Sequence, residues 1–319
     1  MNDLSKESAT LLEVGEEGVG QRIDNFLLRV AKGVPKSHIY RILRSGEVRV
    51  NKGRIGADYR LQSGDLVRVP PIRVAEKSSR ATVPAREFAI VFADEALTIL
   101  DKPAGVAVHG GSGVSFGVIE QLRQARPDAR FLELAHRLDR ETSGLLIVAT
   151  KRSALVRLHD LFRDGGISKR YLALVKGRWQ NALQHVRLPL NKYLTAEGER
   201  RVSVGEGGKE AHSIVRLLAR WENFSLVEVE LKTGRTHQIR VHLAHLGFPL
   251  AGDDKYGDFK LNRDLQAAGL KRMFLHAAKL SFTHPLTGQA LELEAPLPPE
   301  LQQFLSRIDT NEKRSYGTI

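Results

Sequence analysis

The sequence predicts an α+β fold in which a small basic module precedes a larger domain. Its 319 residues, 42% of them hydrophobic, suffice for one small module and one large domain. Positive charge is concentrated near the N-terminus, which sets the first segment apart. Beyond residue 88, strand and helix patterns do not alternate regularly, which argues against a doubly wound parallel sheet. No repeat with a period of about 20–50 residues is visible, so a solenoid is excluded.

The charge balance favours a polyanionic partner. Lys and Arg number 49 against 37 Asp and Glu, a net charge of +12, and residues 22–80 hold 14 Lys/Arg against 5 Asp/Glu, a net +9. Such a surplus is typical of proteins that bind nucleic acid or an anionic membrane. The membrane is disfavoured because no apolar run approaches the roughly 20 residues that span a bilayer. The acidic, polar N-terminus also lacks the apolar core of a signal peptide.

The chain contains no cysteine. This excludes disulfides, thiolate zinc sites and cysteine nucleophiles, and it is consistent with a reducing compartment. We therefore expect a cytoplasmic protein.

The basic module is predicted over residues 15–75, after a disordered tail at 1–14 and before a linker at 76–87. Hydrophobic residues recur at helical spacing in its first half, and two β-type alternations follow. The predicted elements are a helix over Arg22–Val30, a helix opened by Pro35 with Ser37 as N-cap and Gly46 as its end, and strands at Val48–Val50 and Leu66–Val69 with turns at Asn51–Gly53 and Ser63–Asp65.

Cations line one side of this module. Lys36, Arg41 and Arg44 are predicted to point outward from the second helix, and Arg49 and Lys52 follow in the strand and turn. A merely solvated surface is the simplest interpretation, but such surfaces usually mix both signs of charge. The single sign favours contact with phosphates.

The larger domain is predicted over residues 88–308, with a tail at 309–319. Its strands and helices follow from hydrophobic periodicity. The predicted strands are Leu97–Leu100, Leu145–Ala149, Tyr171–Val175, Phe224–Leu231 and a hairpin of Leu275–Phe282 with Ala290–Glu294; the predicted helices are Ser115–Arg126, Ser153–Phe162, Thr236–Leu246 and one that starts near Pro298.

The stretch His136–Gly144 is the strongest candidate for chemistry, because a charged loop directly precedes an apolar strand. Loops held by a rigid strand are where catalytic groups are usually placed. The alternative is a plain turn in which Asp139 caps Thr142 and Ser143, since such turns are common.

Three further stretches carry weaker signals. Tyr171 follows Lys169 and Arg170, cations that could favour an ionised phenol or bind phosphate. In Thr233–His242, Thr236 can cap a helix that puts His237 and Arg240 on one face. A metal site on the histidines there is disfavoured, because neither cysteine nor an HExxH-type glutamate accompanies them. The glycine-rich Asp101–Gly113 lacks the pattern of a nucleotide-binding loop.

Four stretches taken together resemble the RluA-type family of pseudouridine synthases: LDKPAGVAVHGG, HRLDRETSGLLIVA, KRYLALVKG and LKTGRTHQIRVHLAHLGFPLAGDDKYG. Their order and spacing match across residues 88–300. In the basic module, RSGEVRVN and LQSGDLVRV resemble the S-four-type RNA-binding domain, named after a ribosomal protein. The resemblance implies a mixed, mainly antiparallel sheet in the larger domain and the conversion of uridine in RNA to pseudouridine.

The resemblance also implies roles for residues. Asp139 would be the catalytic carboxylate, Tyr171 the group that takes the proton from ring carbon five, and Arg240 the basic partner of the aspartate. Arg137 would fill the place that the extruded base leaves. We also predict RNA contacts by His136, which shapes the loop, and by Arg235.

The reaction adds and removes nothing, so we expect no cofactor and no metal. The implied partner is 23S rRNA or a precursor of the large ribosomal subunit, and we expect a monomer. Two alternatives remain: a non-catalytic RNA-binding or ribosome-assembly factor, and a related enzyme that acts on tRNA. The aspartate, tyrosine and arginine have no reason to occur together in a pure binder.

Overall fold

The computed structural model describes residues 5, 7–31, 33–72, 83–111, 116–196 and 198–316. The chain forms two compact units, Met1–Val83 and Pro84–Ile319. The division falls inside the predicted linker 76–87, most of which lies outside the described residues.

The first unit packs two helices against a small antiparallel sheet. Its strands, in spatial order, are Thr10–Glu13 (β1), Leu66–Val69 (β4), Arg49–Val50 (β2) and Gly53–Arg54 (β3). Apolar residues of both helices, among them Ile23, Leu27, Ile39 and Ile42, are fully buried in one core with alternate residues of the strands. The elements are β1 Thr10–Glu13, a 3-10 helix Glu16–Gly18, α1 Ile23–Val30, α2 Lys36–Arg44, β2 Arg49–Val50, β3 Gly53–Arg54 and β4 Leu66–Val69.

The prediction of a disordered tail over 1–14 was wrong at its C-terminal end. Residues Thr10–Glu13 form β1, which pairs antiparallel with β4. Leu12 and Val14 alternate into the core, and this short pattern was masked by the acidic residues around it. Ser37 is not an N-cap, because α2 already begins at Lys36, after Pro35.

The second unit is built on a ten-stranded sheet that bears out the predicted mixed, mainly antiparallel architecture. The strand order is β10-β13-β14-β9-β15-β8-β6-β5, with β16 on β15 and β7 on β8. The pair β8–β15 is parallel, and β11 and β12 form a separate antiparallel ribbon. The strands are β5 Ala89–Ala93, β6 Leu97–Lys102, β7 Glu133–Leu134, β8 Ser143–Ala149, β9 Ile167–Lys176, β10 Leu183–Arg187, β11 Leu190–Leu194, β12 Arg200–Val204, β13 His212–Arg220, β14 Phe224–Leu231, β15 Leu275–Thr283 and β16 Ala290–Glu294.

Within the described part of the second unit, five helices pack around this sheet. No helix among the described residues is long and apolar enough to cross a membrane. The last helix, α7 (Pro299–Asn311), packs in the same core cluster as Trp221 and Phe274. Its buried residues follow helical spacing and are Leu301, Phe304, Leu305 and Ile308. The helices are α3 Val118–Ala125, α4 Arg152–Arg163, α5 Gln238–His245, α6 Phe259–Ala267 and α7 Pro299–Asn311.

Two predictions about helix and chain ends need correction. Thr236 does not cap α5, which begins at Gln238 after His237 in a left-handed conformation. The predicted tail 309–319 is structured at its start: α7 continues to Asn311, and Tyr316 forms a β-bridge with Arg220. Asp309, also in this stretch, accepts a 2.8 Å hydrogen bond from the Trp221 indole N–H.

Three residues paired across β8, β15 and β9 position the loop that contains Asp139. Ala277 of β15 lies opposite Gly144 of β8 on one side and opposite Tyr171 of β9 on the other. Gly144 has φ +105°, and a Cβ there would lie 2.3 Å from the Ala277 carbonyl oxygen. Only glycine fits such a close backbone approach, so the glycine lets the loop before β8 reach the neighbourhood of Tyr171.

Candidate active site

Asp139 lies in the loop between β7 and β8, with its side chain 19% exposed. The loop does contain a turn, but the main-chain carbonyl of Asp139 makes it, accepting the Thr142 N–H at 3.1 Å. Leu138 and Thr142 on either side are buried. The carboxylate is therefore left for other partners, which disfavours the plain-turn alternative.

Arg240 reaches the carboxylate from the first turn of α5. Its Nη1 lies 3.4 Å from Asp139 Oδ2. The same guanidinium donates two hydrogen bonds to Asp253, from Nε to Oδ2 at 2.8 Å and from Nη2 to Oδ1 at 2.6 Å. Two parallel bonds fix a guanidinium in orientation as well as in place. Arg240 thus presents a rigid donor to Asp139.

Asp253 is 1% exposed and keeps its charge by accepting hydrogen bonds. Beyond Arg240, its Oδ1 accepts the backbone N–H groups of Lys255 at 2.8 Å and Tyr256 at 3.0 Å. Burial raises the pKa of Asp253, but Arg240 and these N–H groups outweigh it and lower the pKa below its ordinary value. Burial likewise lowers the pKa of Arg240, and Asp253, followed by Asp139, raises it overall.

His237 approaches the other carboxylate oxygen. Its Nε2 lies 3.8 Å from Asp139 Oδ1, and its Nδ1 lies 2.8 Å from the Tyr256 hydroxyl. Both side chains therefore face Asp139, but they do not share a helix face as predicted, because His237 precedes α5 in a left-handed conformation.

Tyr171 is buried in β9 and interacts electrostatically with the same carboxylate. Burial, and then the negative charge of Asp139, raise the pKa of its phenol well above the ordinary value. The suggestion that nearby cations favour an ionised phenol was wrong, because burial and Asp139 raise the pKa, and neither Lys169 nor Arg170 is among the causes of the shift. The Tyr171 phenol is protonated at neutral pH.

Two further cations, the fully buried Lys102 and the largely covered Arg272, also hold the loop. Lys102, fully buried at the end of β6, donates to the carbonyls of Pro103, Val106 and Arg140 at 2.8, 2.8 and 3.1 Å. Arg272 donates to the Glu141 carbonyl at 3.3 Å and to Ser143 Oγ at 2.8 Å. The sequence assigned Lys102 no role of its own, although it lies in one of the four family-like stretches. The missed signal was a lysine that continues an apolar strand.

The predicted RNA-binding residues differ in placement. Arg137 and Arg235 are exposed in the second unit, and the cations predicted to contact RNA in the first unit are all exposed: Lys36, Arg41, Arg44, Arg49 and Lys52. His136 is different, because its Nε2 accepts the Ile147 N–H at 3.0 Å and its ring packs on Phe162. Burial lowers its pKa to about 3. The structure therefore gives His136 a supporting contact within the fold, and its contact with RNA stays a prediction.

No group of three or more potential metal ligands occurs among the described residues. His242, one of the histidines considered for a metal site, is fully buried and engaged at both nitrogens. Its Nε2 lies 3.0 Å from the Leu188 carbonyl and its Nδ1 lies 3.0 Å from Ser213 Oγ.

Comparison with known proteins agrees with this geometry. A family model described as RNA pseudouridylate synthase matches residues 96–245, and an S4 domain model matches residues 21–67. Proteins named ribosomal large subunit pseudouridine synthase C are similar: the one from Pasteurella multocida is 53% identical over 95% of this chain and 94% of its own length, and the one from Escherichia coli K12 is 51% identical over 94% and 97%. The solved structure of human RNA pseudouridylate synthase domain containing 1 superimposes with a TM-score of 0.57 at 27% identity, over 68% of this chain and 87% of that one. With such relatives along nearly its whole length, the chain belongs to the family of RNA pseudouridine synthases.

Proposed function

We propose that this enzyme converts specific uridines of 23S rRNA to pseudouridine, with Asp139 as the essential carboxylate. One observation carries the proposal: a partly exposed carboxylate lies within 3.4 Å of a rigidly held arginine and beside a buried tyrosine. The choice of 23S rRNA rests on the names of the relatives, which act on the large ribosomal subunit.

The chemistry explains why the site holds these groups. The bond between ribose C1′ and uracil N1 breaks, the base turns, C1′ bonds to C5, and the C5 proton is lost while N1 gains one. The detached uracil is anionic, so donors in a water-poor pocket must hold it. No atom enters or leaves overall, so the residues themselves suffice for the reaction.

Asp139 can act in three ways: attack on the sugar, attack on the base, or removal of a sugar proton. Each route consumes its negative charge. That charge is one of the two causes that raise the pKa of Tyr171. When Asp139 loses that charge, the pKa of Tyr171 falls, and the phenol can pass its own proton to N1 of the base. The phenolate that results can then accept the C5 proton, so Asp139 acts before Tyr171.

A stacked uridine cannot present its ribose to a carboxylate, so the nucleotide must leave the helix, at a cost of a few kcal/mol. Arg137 is exposed and precedes Asp139 by two residues, so its side chain is our candidate to fill the space that the base leaves. We further propose that the protein acts as a monomer in the cytoplasm and grips rRNA or a large-subunit precursor through the exposed cations of its first unit.

The test is to incubate the protein with unmodified 23S rRNA and to map pseudouridine by carbodiimide-dependent primer stops. We expect new stops with the wild type and none with Asp139→Ala or Asp139→Asn. Stops that persist with both variants would refute the role of Asp139. Stops on a tRNA transcript alone would replace 23S rRNA as the substrate.

A further inference from the structure

His237 combines an unusual backbone conformation with a side chain that faces Asp139. It is one of three non-glycine residues with positive φ among the described residues, and the other two, Asn51 and Lys52, form a tight turn in the first unit. Its φ of +53° directly before α5 is a conformation that side chains other than glycine seldom adopt. Such strain persists where the surrounding structure over-determines it, and it clusters at functional sites. The strained backbone aims the His237 ring at Asp139.

The hydrogen bonds of Tyr256 determine which nitrogen of His237 carries the proton. The Tyr256 oxygen accepts the backbone N–H of Val202 at 3.0 Å, and it lies 2.8 Å from His237 Nδ1. When the phenol donates its own proton to Nδ1, both groups are satisfied. Nδ1 is then an acceptor, and in a neutral imidazole the ring proton must sit on Nε2.

The ring is neutral in this environment. Burial lowers the pKa of His237, although Asp139 raises it in part, and the net shift is downward. Nε2 is the nitrogen 3.8 Å from Asp139 Oδ1. A neutral imidazole N–H thus faces one carboxylate oxygen, while the Arg240 guanidinium faces the other at 3.4 Å.

We propose that His237, fixed by Tyr256 in the tautomer with a proton on Nε2, donates that N–H to Asp139 and sets the plane of the carboxylate for reaction. His237 is thus a positioning residue, and this proposal rests on the proposed function. At 3.8 Å the contact is longer than a hydrogen bond. Catalytic hydrogen bonds often shorten when substrate fills the site and excludes water.

The alternative is that His237 only completes the fold around Tyr256. Three substitutions separate the two roles. His237→Asn keeps a polar atom near the place of Nδ1 and tolerates positive φ well, but it removes the donor to Asp139. His237→Gln extends an amide N–H to about the place of Nε2. Tyr256→Phe keeps the histidine but removes the hydroxyl that fixes its tautomer.

The measurement is tritium release from RNA that carries tritium at uridine C5, in single-turnover and steady-state form. We expect His237→Asn to lower kcat roughly 10- to 100-fold, the range for one hydrogen bond to a charged group, with KM nearly unchanged. Glutamine should recover a clear part of that loss, and Tyr256→Phe should give an intermediate rate. His245→Asn, the same change at an exposed site at the end of α5, is the control and should match the wild type.

Several outcomes would overturn the proposal. One is a wild-type kcat in His237→Asn, and another is an effect of that substitution on KM alone. A third is a glutamine variant that is as slow as the asparagine variant although the two are equally stable. Nitrogen NMR gives a direct check, because the ring signals lost in His237→Asn must show a proton on Nε2; a proton on Nδ1 would refute it. Failure of the proposed function would look different, since then the wild type itself would release no tritium.

Discussion

At the scale of the residue, the strongest constraint on the site is the buried pair of Arg240 and Asp253. The two side chains are 6% and 1% exposed and share two short hydrogen bonds. A buried pair is costly to break, because removal of one partner leaves the other charge uncompensated. Arg240 therefore has two separable tasks, one in stability and one in the orientation of Asp139.

Substitution of Arg240 separates these tasks. Arg240→Met leaves Asp253 buried without its partner, and we expect it to reduce the free energy of unfolding by about 3–5 kcal/mol. Arg240→Lys keeps the charge and should lose less stability, but an ammonium cannot make the two parallel bonds. Urea denaturation and tritium release would test both. Pseudouridine formation by Arg240→Lys at the wild-type rate would contradict the orienting role.

Tyr171 gives a second prediction for a single residue. Because its phenol is protonated at rest, Tyr171→Phe should bind RNA and fold like the wild type, yet release C5 tritium at least about 100-fold more slowly, as expected for loss of a general base. The same reactions should be analysed for cleavage of the C1′–N1 bond. Normal tritium release by Tyr171→Phe would assign proton removal to another group.

At the scale of the element, the start of β8 is held by a chain of polar groups, of which Ser143 and His276 are buried. Arg272 donates to Ser143 Oγ at 2.8 Å, Ser143 Oγ lies 2.9 Å from His276 Nδ1, and His276 Nε2 lies 3.1 Å from the Ala295 carbonyl. A carbonyl can only accept, so Nε2 carries the proton and Nδ1 accepts from Ser143. The chain ties the end of the Asp139 loop to β15 and to the residue after β16.

This chain makes stability depend on pH. Burial, the largest cause, lowers the pKa of His276 to about 4 from the ordinary 6.5. Between these values the unfolded chain takes up a proton that the folded protein does not, so the free energy of unfolding falls as the pH drops from 6.5 to 4. The slope from this residue is at most about 1.4 kcal/mol per pH unit. Urea denaturation of the wild type and of His276→Gln should show a shallower dependence in the variant, whereas parallel curves would refute the assignment.

Elements with a long periodic pattern could be predicted from the sequence, and those fixed by distant partners could not. The strand Phe224–Leu231 has the predicted bounds, because Val227, Val229 and Leu231 alternate with Glu228 and Glu230 at the period of a strand. The strands Leu183–Arg187 and Leu190–Leu194 were missed, because mostly exposed polar residues give little alternation.

The candidate site shows the same limit. Asp139, Tyr171 and Arg240 came from motifs, but Lys102, Asp253 and Tyr256 act through contacts that only the fold creates. The Arg140 carbonyl, for example, lies 38 residues from Lys102 in sequence. His237 adopts a left-handed conformation that its own side chain does not favour, so local propensity instead predicted Thr236 as the cap.

At the scale of the whole molecule, positive charge is divided between a small unit dense in exposed cations and a catalytic unit that is more nearly balanced. Each cation that neutralises an RNA phosphate releases a counterion, so the logarithm of affinity falls with the logarithm of salt concentration. The slope of this dependence, called the salt slope below, therefore reports how many phosphate contacts the protein makes.

We expect the double variant Arg41→Ala with Arg44→Ala to weaken binding to 23S rRNA and to reduce the salt slope by roughly 0.7–0.9 for each lost contact. Both side chains are exposed, so stability should change little. Lys260→Ala with Arg263→Ala, on the exposed face of α6, is the matched control. An unchanged slope for the first pair, measured by filter binding at several salt concentrations, would remove these arginines from the RNA contacts.

The short turn from Asp253 to Tyr256 has a consequence for how the enzyme can vary. The carboxylate of Asp253 anchors the guanidinium on one side of the reactive aspartate, and the hydroxyl of Tyr256 anchors the imidazole on the other. Four consecutive residues therefore contain the hydrogen-bond partners of both Arg240 and His237. An insertion or deletion there would displace both side chains together. This loop should therefore tolerate substitutions on its outer surface but no change of length.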